Sequence, residues 1–204
     1  MFRIFCLIIG YFIGCISMGF IVSKLMKTDL RQKGSGNLGT TNALRVLGFK
    51  AGAATFLGDI LKSMFAFFIC TMLFAEYGYL AGIYACAGAI LGHDFPFYLK
   101  FKGGKGIAAT IGMILCVGIS ASPWLMVITF GVGILVVLLT NYISAASMLF
   151  SIAIPITCFV LKLHPEAVAV TLCLCVLAIF LHRKNIERLM VGNENKFTLR
   201  KTQE

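Results

Sequence analysis

The sequence predicts an all-α, polytopic integral membrane protein with seven transmembrane helices and short loops, and three observations predict it. Only 13% of the 204 residues are charged, against about 25% in an ordinary soluble domain. Hydrophobic residues make up 59% of the chain, with a mean hydropathy of +0.94. From Gly106 to Leu161 there is no Lys, Arg, Asp or Glu, a stretch long enough for two or three spans of about 20 residues each. No water-facing surface can be built from such a run. A soluble domain, a disordered chain and a secreted disulfide scaffold are excluded. A β-barrel fits poorly, because barrel strands alternate polar and apolar residues and these stretches are apolar all round.

The elements follow from hydropathy. A first span covers about residues 3–23; its apolar run reaches Ile21 without a small-residue cleavage pattern, so it is expected to be retained and not removed as a signal peptide. A polar segment rich in Gly, Thr, Asn and basic residues reaches Lys50. The second span, about 51–75, contains Asp59 and Lys62. Glu76, Tyr77 and Gly78 form a turn, and a third span runs to His93. Pro96 biases Phe95 away from helix, so a second polar loop holds His93 through Lys105. Residues 106–181 divide into four spans, with turns near Ser122-Pro123, Thr140-Asn141 and His164-Pro165, and a basic tail follows. The whole of residues 1–204 is expected to be one integral membrane domain, with no internal repeat.

Charge sets the orientation. Loop 24–50 carries six Lys or Arg, loop 93–105 three and tail 182–204 six, so seven spans place 15 of the 18 on one side. The positive-inside rule makes that side the cytoplasm. A five-span chain with half-inserted segments is the competing topology. The net charge of +10 is explained by the same rule and needs no nucleic-acid partner. The eight cysteines lie in apolar stretches without a CxxC pair and read as small apolar fillers. GxxxG patterns such as Gly10/Gly14 and Gly88/Gly92 can mark close helix packing, but among 21 glycines a couple arise by chance.

Three polar segments fall on the cytoplasmic face. In Gly34-Ser35-Gly36-Asn37-Leu38-Gly39-Thr40-Thr41-Asn42, three glycines let the backbone aim N–H groups inward as an anion nest. Arg45 follows with a fork for phosphate. Phe101-Lys102-Gly103-Gly104-Lys105-Gly106 leads into span four, where a helix N-terminus favours an anion. It is not a Walker A loop, because Gly106 follows Lys105 and the upstream glycine is absent. In the third segment His182 and Asn185 stand at i and i+3, on one helical face, with Glu194 beyond. Plainer readings are a flexible connection, basic residues obeying positive-inside, and a surface histidine. Asp59 and Lys62, also i and i+3, form either a structural ion pair or a functional contact. Carboxylates and histidines are too thinly spread for a metal site. Together the segments imply a phosphate-bearing substrate met at the membrane surface.

Taken in order, Gly34-Ser35-Gly36-Asn37-x-Gly39-x-Thr41-Asn42, Gly92-His93-x-x-Pro96-x-x-x-x-Phe101-Lys102-Gly103-Gly104-Lys105-Gly106 and His182-x-x-Asn185-Ile186 with Glu194 resemble the three motifs of the bacterial acyl-phosphate:glycerol-3-phosphate acyltransferases. Length, span pattern, Arg45, Asp59 and Lys62 match as well. The resemblance implies an inner-membrane enzyme, its loops and C-terminus cytoplasmic, that acylates glycerol 3-phosphate from an acyl phosphate to give lysophosphatidic acid. No cofactor and no metal is expected, and the partners are the two substrates and membrane lipids. Ser35, Lys105, His182 and Asn185 are the expected catalytic residues. Gly34, Gly36, Asn37, Gly39, Thr41, Asn42, Arg45, His93, Lys102, Gly103, Gly104, Gly106 and Glu194 are expected to bind substrate. His182 is expected to position groups by hydrogen bonding while the substrate's phosphate takes the proton. An organic-phosphate transporter should show repeats and broken helices, and a structural subunit has no use for three glycine-rich motifs.

Overall fold

The structure, a computed structural model, describes residues 1–197. Arg200 and Lys201, counted above in the basic tail, lie outside them. The described residues are helical and without strands, and the chain separates into two compact units, Met1–Ala121 and Ser122–Glu204.

The first unit contains α1 (Phe2–Gly14), α2 (Met18–Leu25), α3 (Thr40–Leu47), α4 (Phe49–Leu73), α5 (Tyr79–Asp94) and α6 (Ile107–Ser120). The expected first span is broken: α1 stops before Ser17, whose hydroxyl accepts the amide of Phe20 and caps α2. Carbonyls freed at the break find donors, Cys15 O from the Tyr98 hydroxyl (2.8 Å) and Ile16 O from Lys62 Nζ (2.9 Å). The polar segment is also more ordered than a connecting loop. It holds the amphipathic α3, whose Ala43 packs with Leu30, Leu38 and Leu99 in a small core. Backbone proximity between α1 and α5 rests on the GxxxG glycines. A Cβ on Gly10 or Gly14 would strike the backbone of Ala85 or Ala89, and one on Gly88 or Gly92 that of Leu7 or Tyr11. Chance does not account for these two patterns; they are the interface.

The second unit contains α7 (Pro123–Thr140), α8 (Ile143–Val160), α9 (Pro165–Leu181) and α10 (Arg183–Met190). Of the three expected turns, Ser122-Pro123 stands at the start of α7, and Thr140-Asn141 and His164-Pro165 lie between α7, α8 and α9. Pro123 opens α7, Asn141 closes it in the left-handed conformation (φ 59°), and His164 caps α9 by accepting the amide of Glu166. Buried hydroxyls bond their own helix: Thr129 to Leu125 O, Ser147 to Ile143 O, Ser151 to Ser147 O and Thr171 to Ala167 O, all within 2.8 Å. Such back-bonding satisfies polar groups that lipid cannot.

Among the described residues four stretches are long and apolar enough to cross a bilayer: Phe2–Leu25, α4, α7 and α8. Counting α9 with α10, which bend by 55° at their junction, makes five. Helices α5 and α6 have 16 and 14 residues, about 24 and 21 Å at 1.5 Å per residue, against a hydrocarbon core of about 30 Å. All seven expected segments are helical.

Candidate active site

The first motif is shaped around Asn42. Its side chain is buried, and its amide nitrogen lies 3.2, 3.1 and 2.9 Å from the carbonyl oxygens of Leu30, Lys33 and Asn37. Its Oδ1 accepts the amide of Ser35 at 2.9 Å. One side chain thus fixes four points of the loop. Gly34 (φ 59°) and Gly36 (φ 73°) supply left-handed turns that side chains disfavour. Asn37 Oδ1 accepts the amide of Gly39 (2.8 Å) and closes a local turn before α3. Ser35, Thr41 and Arg45 are exposed on this scaffold.

The second motif folds against the end of α5. The amides of Gly103 and Gly104 donate to Asp94 O and His93 O, each at 3.0 Å. Lys100 (φ 54°), Phe101 (φ 57°) and Gly106 (φ 71°) occupy left-handed conformations, so the chain reverses sharply into α6. Asn37 Nδ2 donates to Gly103 O at 3.2 Å and joins the two glycine-rich loops. Lys102 is exposed and Lys105 half-buried.

Beneath this loop lies a charged network inside the helices. Asp59 and Lys62 form an ion pair at 2.7 Å, and Lys62 Nζ lies 3.0 Å from Nδ1 of His93. The three side chains are 0%, 7% and 4% exposed as residues. His93, expected to bind substrate, is therefore also the end of a chain of polar groups starting in span two. Asp94 was not singled out by the sequence reading. It is buried, Oδ1 has no hydrogen-bond partner, and a Cβ on Gly106 would lie 3.2 Å and 3.3 Å from its carboxylate oxygens. The signal that could have found it is a carboxylate ending a long apolar run, next to His93.

The third motif lies in the second unit. His182 sits at the bend between α9 and α10, so it and Asn185 do not continue one straight helix. The His182 amide is shared between the carbonyls of Ala178 (3.1 Å) and Ile179 (3.0 Å), and its Nδ1 lies 2.7 Å from Ala178 O. Side-chain bonding to the preceding turn bends helices in this way. A neutral ring donates there through Nδ1, and its Nε2 is then an acceptor. The His182 carbonyl accepts the Asn185 amide at 2.8 Å, which keeps the pair one turn apart. Glu194 gathers the motif: Oε1 accepts from Ser144 Oγ (2.9 Å) and Asn185 Nδ2 (2.8 Å), and Oε2 from Arg188 Nε (2.7 Å). Burial opposes its ionisation, but the hydrogen bonds from Arg188, Asn185 and Ser144 outweigh this and hold the carboxyl below its ordinary range. Ser144 and Arg188 also escaped the sequence reading, because their part depends on a loop that folds back onto α8 and α10.

Seven of the eight free cysteines are buried and Cys173 is exposed. Among the described residues no three His, Cys, Asp or Glu side chains are grouped to hold a metal ion.

Comparison with known proteins places this architecture. A sequence profile of the family described as glycerol-3-phosphate acyltransferase matches residues 4–192. The glycerol-3-phosphate acyltransferase of Thermoanaerobacter pseudethanolicus is 40% identical over 198 residues, 96% of each chain. Among solved structures, PlsY (YgiH), an integral membrane glycerol 3-phosphate acyltransferase in its glycerol 3-phosphate form, superposes with a TM-score of 0.87 at 33% identity, covering 96% of each chain. The lysophosphatidic acid form of PlsY gives 0.84 at 32%, covering 96% of this chain and 95% of that one. This chain, an all-α integral membrane protein with the three motifs in order, belongs to the glycerol-3-phosphate acyltransferase family and is an acyltransferase of the PlsY type.

Proposed function

We propose that the enzyme transfers an acyl chain from an acyl phosphate to the sn-1 hydroxyl of glycerol 3-phosphate, giving lysophosphatidic acid and phosphate, the first acylation of phospholipid synthesis. The observation that carries this reading is the bond from Asn37 to Gly103, which joins two glycine-rich loops, the first bearing Ser35 and leading into α3 with Arg45, the second bearing Lys102 and Lys105. Two loops of that kind suit two phosphates held close together. The hydroxyl oxygen attacks the acyl carbon, the bond from that carbon to the phosphate oxygen breaks, and phosphate leaves with the electron pair. An acyl phosphate is already activated, so neither a covalent nucleophile nor a metal is required. The protein's part is to align the reactants and offer donors as charge builds on the carbonyl oxygen.

In this reading Ser35, Lys105, His182 and Asn185 act on the reacting groups. Arg45, Lys102, His93, Thr41 and the loop glycines hold phosphate, while Asn37, Asn42 and Glu194 keep the motifs in shape. The leaving phosphate, next to the carbonyl by construction, takes the proton. Seven spans put both loops and the C-terminus in the cytoplasm of a bacterial inner membrane. The family match, which runs through both compact units, supports one catalytic domain over residues 1–204. The test is purified protein with palmitoyl phosphate and glycerol 3-phosphate in the presence of a chelator. Phosphate release with lysophosphatidic acid formation is expected; equal turnover with acyl-CoA overturns the donor assignment.

A further inference from the structure

We propose that Lys62, deep in span two, is a positioning residue that fixes His93 as its Nε2–H tautomer, and that this N–H is a donor to the phosphate held at the Gly103–Gly106 loop. The proposal rests on the reading of that loop as a phosphate site, and it assigns a job to Asp59, Lys62 and His93 that their ion pairing alone does not.

The tautomer follows from counting donors. An ammonium has three hydrogens and no lone pair. Lys62 Nζ has three acceptors in reach: Asp59 Oδ1 at 2.7 Å, Ile16 O at 2.9 Å and His93 Nδ1 at 3.0 Å. The last contact is a hydrogen bond only if Nδ1 offers a lone pair, because an Nδ1–H would face the ammonium donor to donor. The alternative, Nδ1–H facing Asp59 Oδ1, has the longer separation of 3.3 Å, and that oxygen already makes the shorter ion-pair contact of 2.7 Å with Lys62. A neutral ring with Nδ1 as acceptor carries its proton on Nε2.

Nε2 is directed at the second motif. A Cβ added to Gly104 would run into Nε2, Cδ2 and Cε1 of the His93 ring, while the Gly104 amide donates to the His93 carbonyl at 3.0 Å. Gly104 is thus held from below by both ends of His93, and glycine is the residue that lets the ring lie against the loop. The order of parts is Asp59 to Lys62 to His93 to the glycine loop, with the Ile16 carbonyl tying the same ammonium to the break between α1 and α2.

The test uses the full-length protein in detergent, labelled with ¹⁵N-histidine; the chain has 3 His, and the His93 signals are those lost in His93→Gln. At neutral pH His93 should show an unprotonated Nδ1 and a protonated Nε2, and adding inorganic phosphate or glycerol 3-phosphate should shift the Nε2 signal. Kinetically, His93→Gln, which places an amide nitrogen near the Nε2 position, should retain clearly more activity than His93→Asn, which keeps a partner for Lys62 but has no donor there. The expected loss for His93→Asn is about 10- to 100-fold in kcat/KM for glycerol 3-phosphate, mainly through KM. An Nδ1–H ring or an imidazolium overturns the proposal, as does an Nε2 signal blind to both ligands or a His93→Asn enzyme equal to His93→Gln. If wild-type protein shows no acyl transfer, the functional reading fails, and the tautomer and phosphate titration still decide the role of Lys62. Lys62→Met, where it folds, should leave His93 a mixture of tautomers.

Discussion

Glu194 offers the sharpest energetic test, because its carboxylate carries three contacts that hold α8, α10 and the following loop together. Glu194→Ala deletes the bonds from Ser144, Asn185 and Arg188. Hydrogen bonds to a charged group contribute about 1.5–3 kcal/mol each. The Arg188 side chain is 36% exposed, so its ion pair belongs at the low end of that range. A combined loss of about 3–5 kcal/mol follows, since neighbouring contacts are not additive. Glu194→Gln keeps the shape but turns a neutral amide toward Arg188, and should cost about 1–2 kcal/mol. The carboxyl is held below its ordinary range, which fixes the sign with pH. Its contribution is fully present above the ordinary carboxylate pKa of about 4.3 and is lost as pH falls through the depressed folded value. The gap in Tm between wild type and Glu194→Gln, measured by thermal unfolding in detergent, should be constant from pH 8 to 5 and shrink progressively as pH falls below the ordinary carboxylate range. A gap that widens on acidification, or a Glu194→Ala protein as stable as wild type, refutes the clamp.

Two further outcomes follow from the site and the topology. With cysteine-free protein in intact cells, Gln32→Cys and Asn193→Cys should react with an impermeant thiol reagent only after the membrane is opened; labelling of Asn193→Cys from outside removes the seven-span orientation. For His182, the bond from Nδ1 to Ala178 O makes Nε2 of the neutral ring an acceptor, so the question is whether it only orients the attacking hydroxyl or takes its proton. If it orients, His182→Gln should retain clearly more kcat than His182→Ala; equal loss, with an acid limb in kcat/KM that vanishes in both, makes His182 the base, an effect of about 10²–10⁴.

The limits of sequence reading here are physical. Apolar helices, turns at Pro123, Asn141 and Pro165 and the polarity of the three motifs are local properties, and each was legible. The break at Cys15–Ser17 was not: Ser17 is a residue type that caps helices, but in so apolar a run a break is stable only because its carbonyls are satisfied by Lys62 and Tyr98, residues distant in the chain. Span number resists the same way: hydropathy marks α5 and α6, but at 16 and 14 residues length leaves the crossing undecided. The GxxxG glycines carried a true packing signal that composition alone made indistinguishable from chance, since its meaning depends on which helix lies opposite.

Within the motifs, residue type was legible but the division of labour was not. A polar residue in a glycine-rich loop can face a ligand or hold the loop, and only distances separate the two. Asn42 bonds four backbone groups and Glu194 three side chains, so both spend their hydrogen-bonding capacity on the protein itself. Ser35, Thr41 and Arg45 stay exposed on the scaffold that Asn42 builds. The glycines divide as well: Gly34, Gly36 and Gly106 supply backbone angles, whereas Gly104 makes room for the His93 ring. The proposed reaction, which asks for two phosphates held in register and little covalent chemistry, puts its demands on loop shape. The charged groups buried beneath the second loop supply rigidity within the first unit, and the Glu194 clamp supplies it to the third motif within the second.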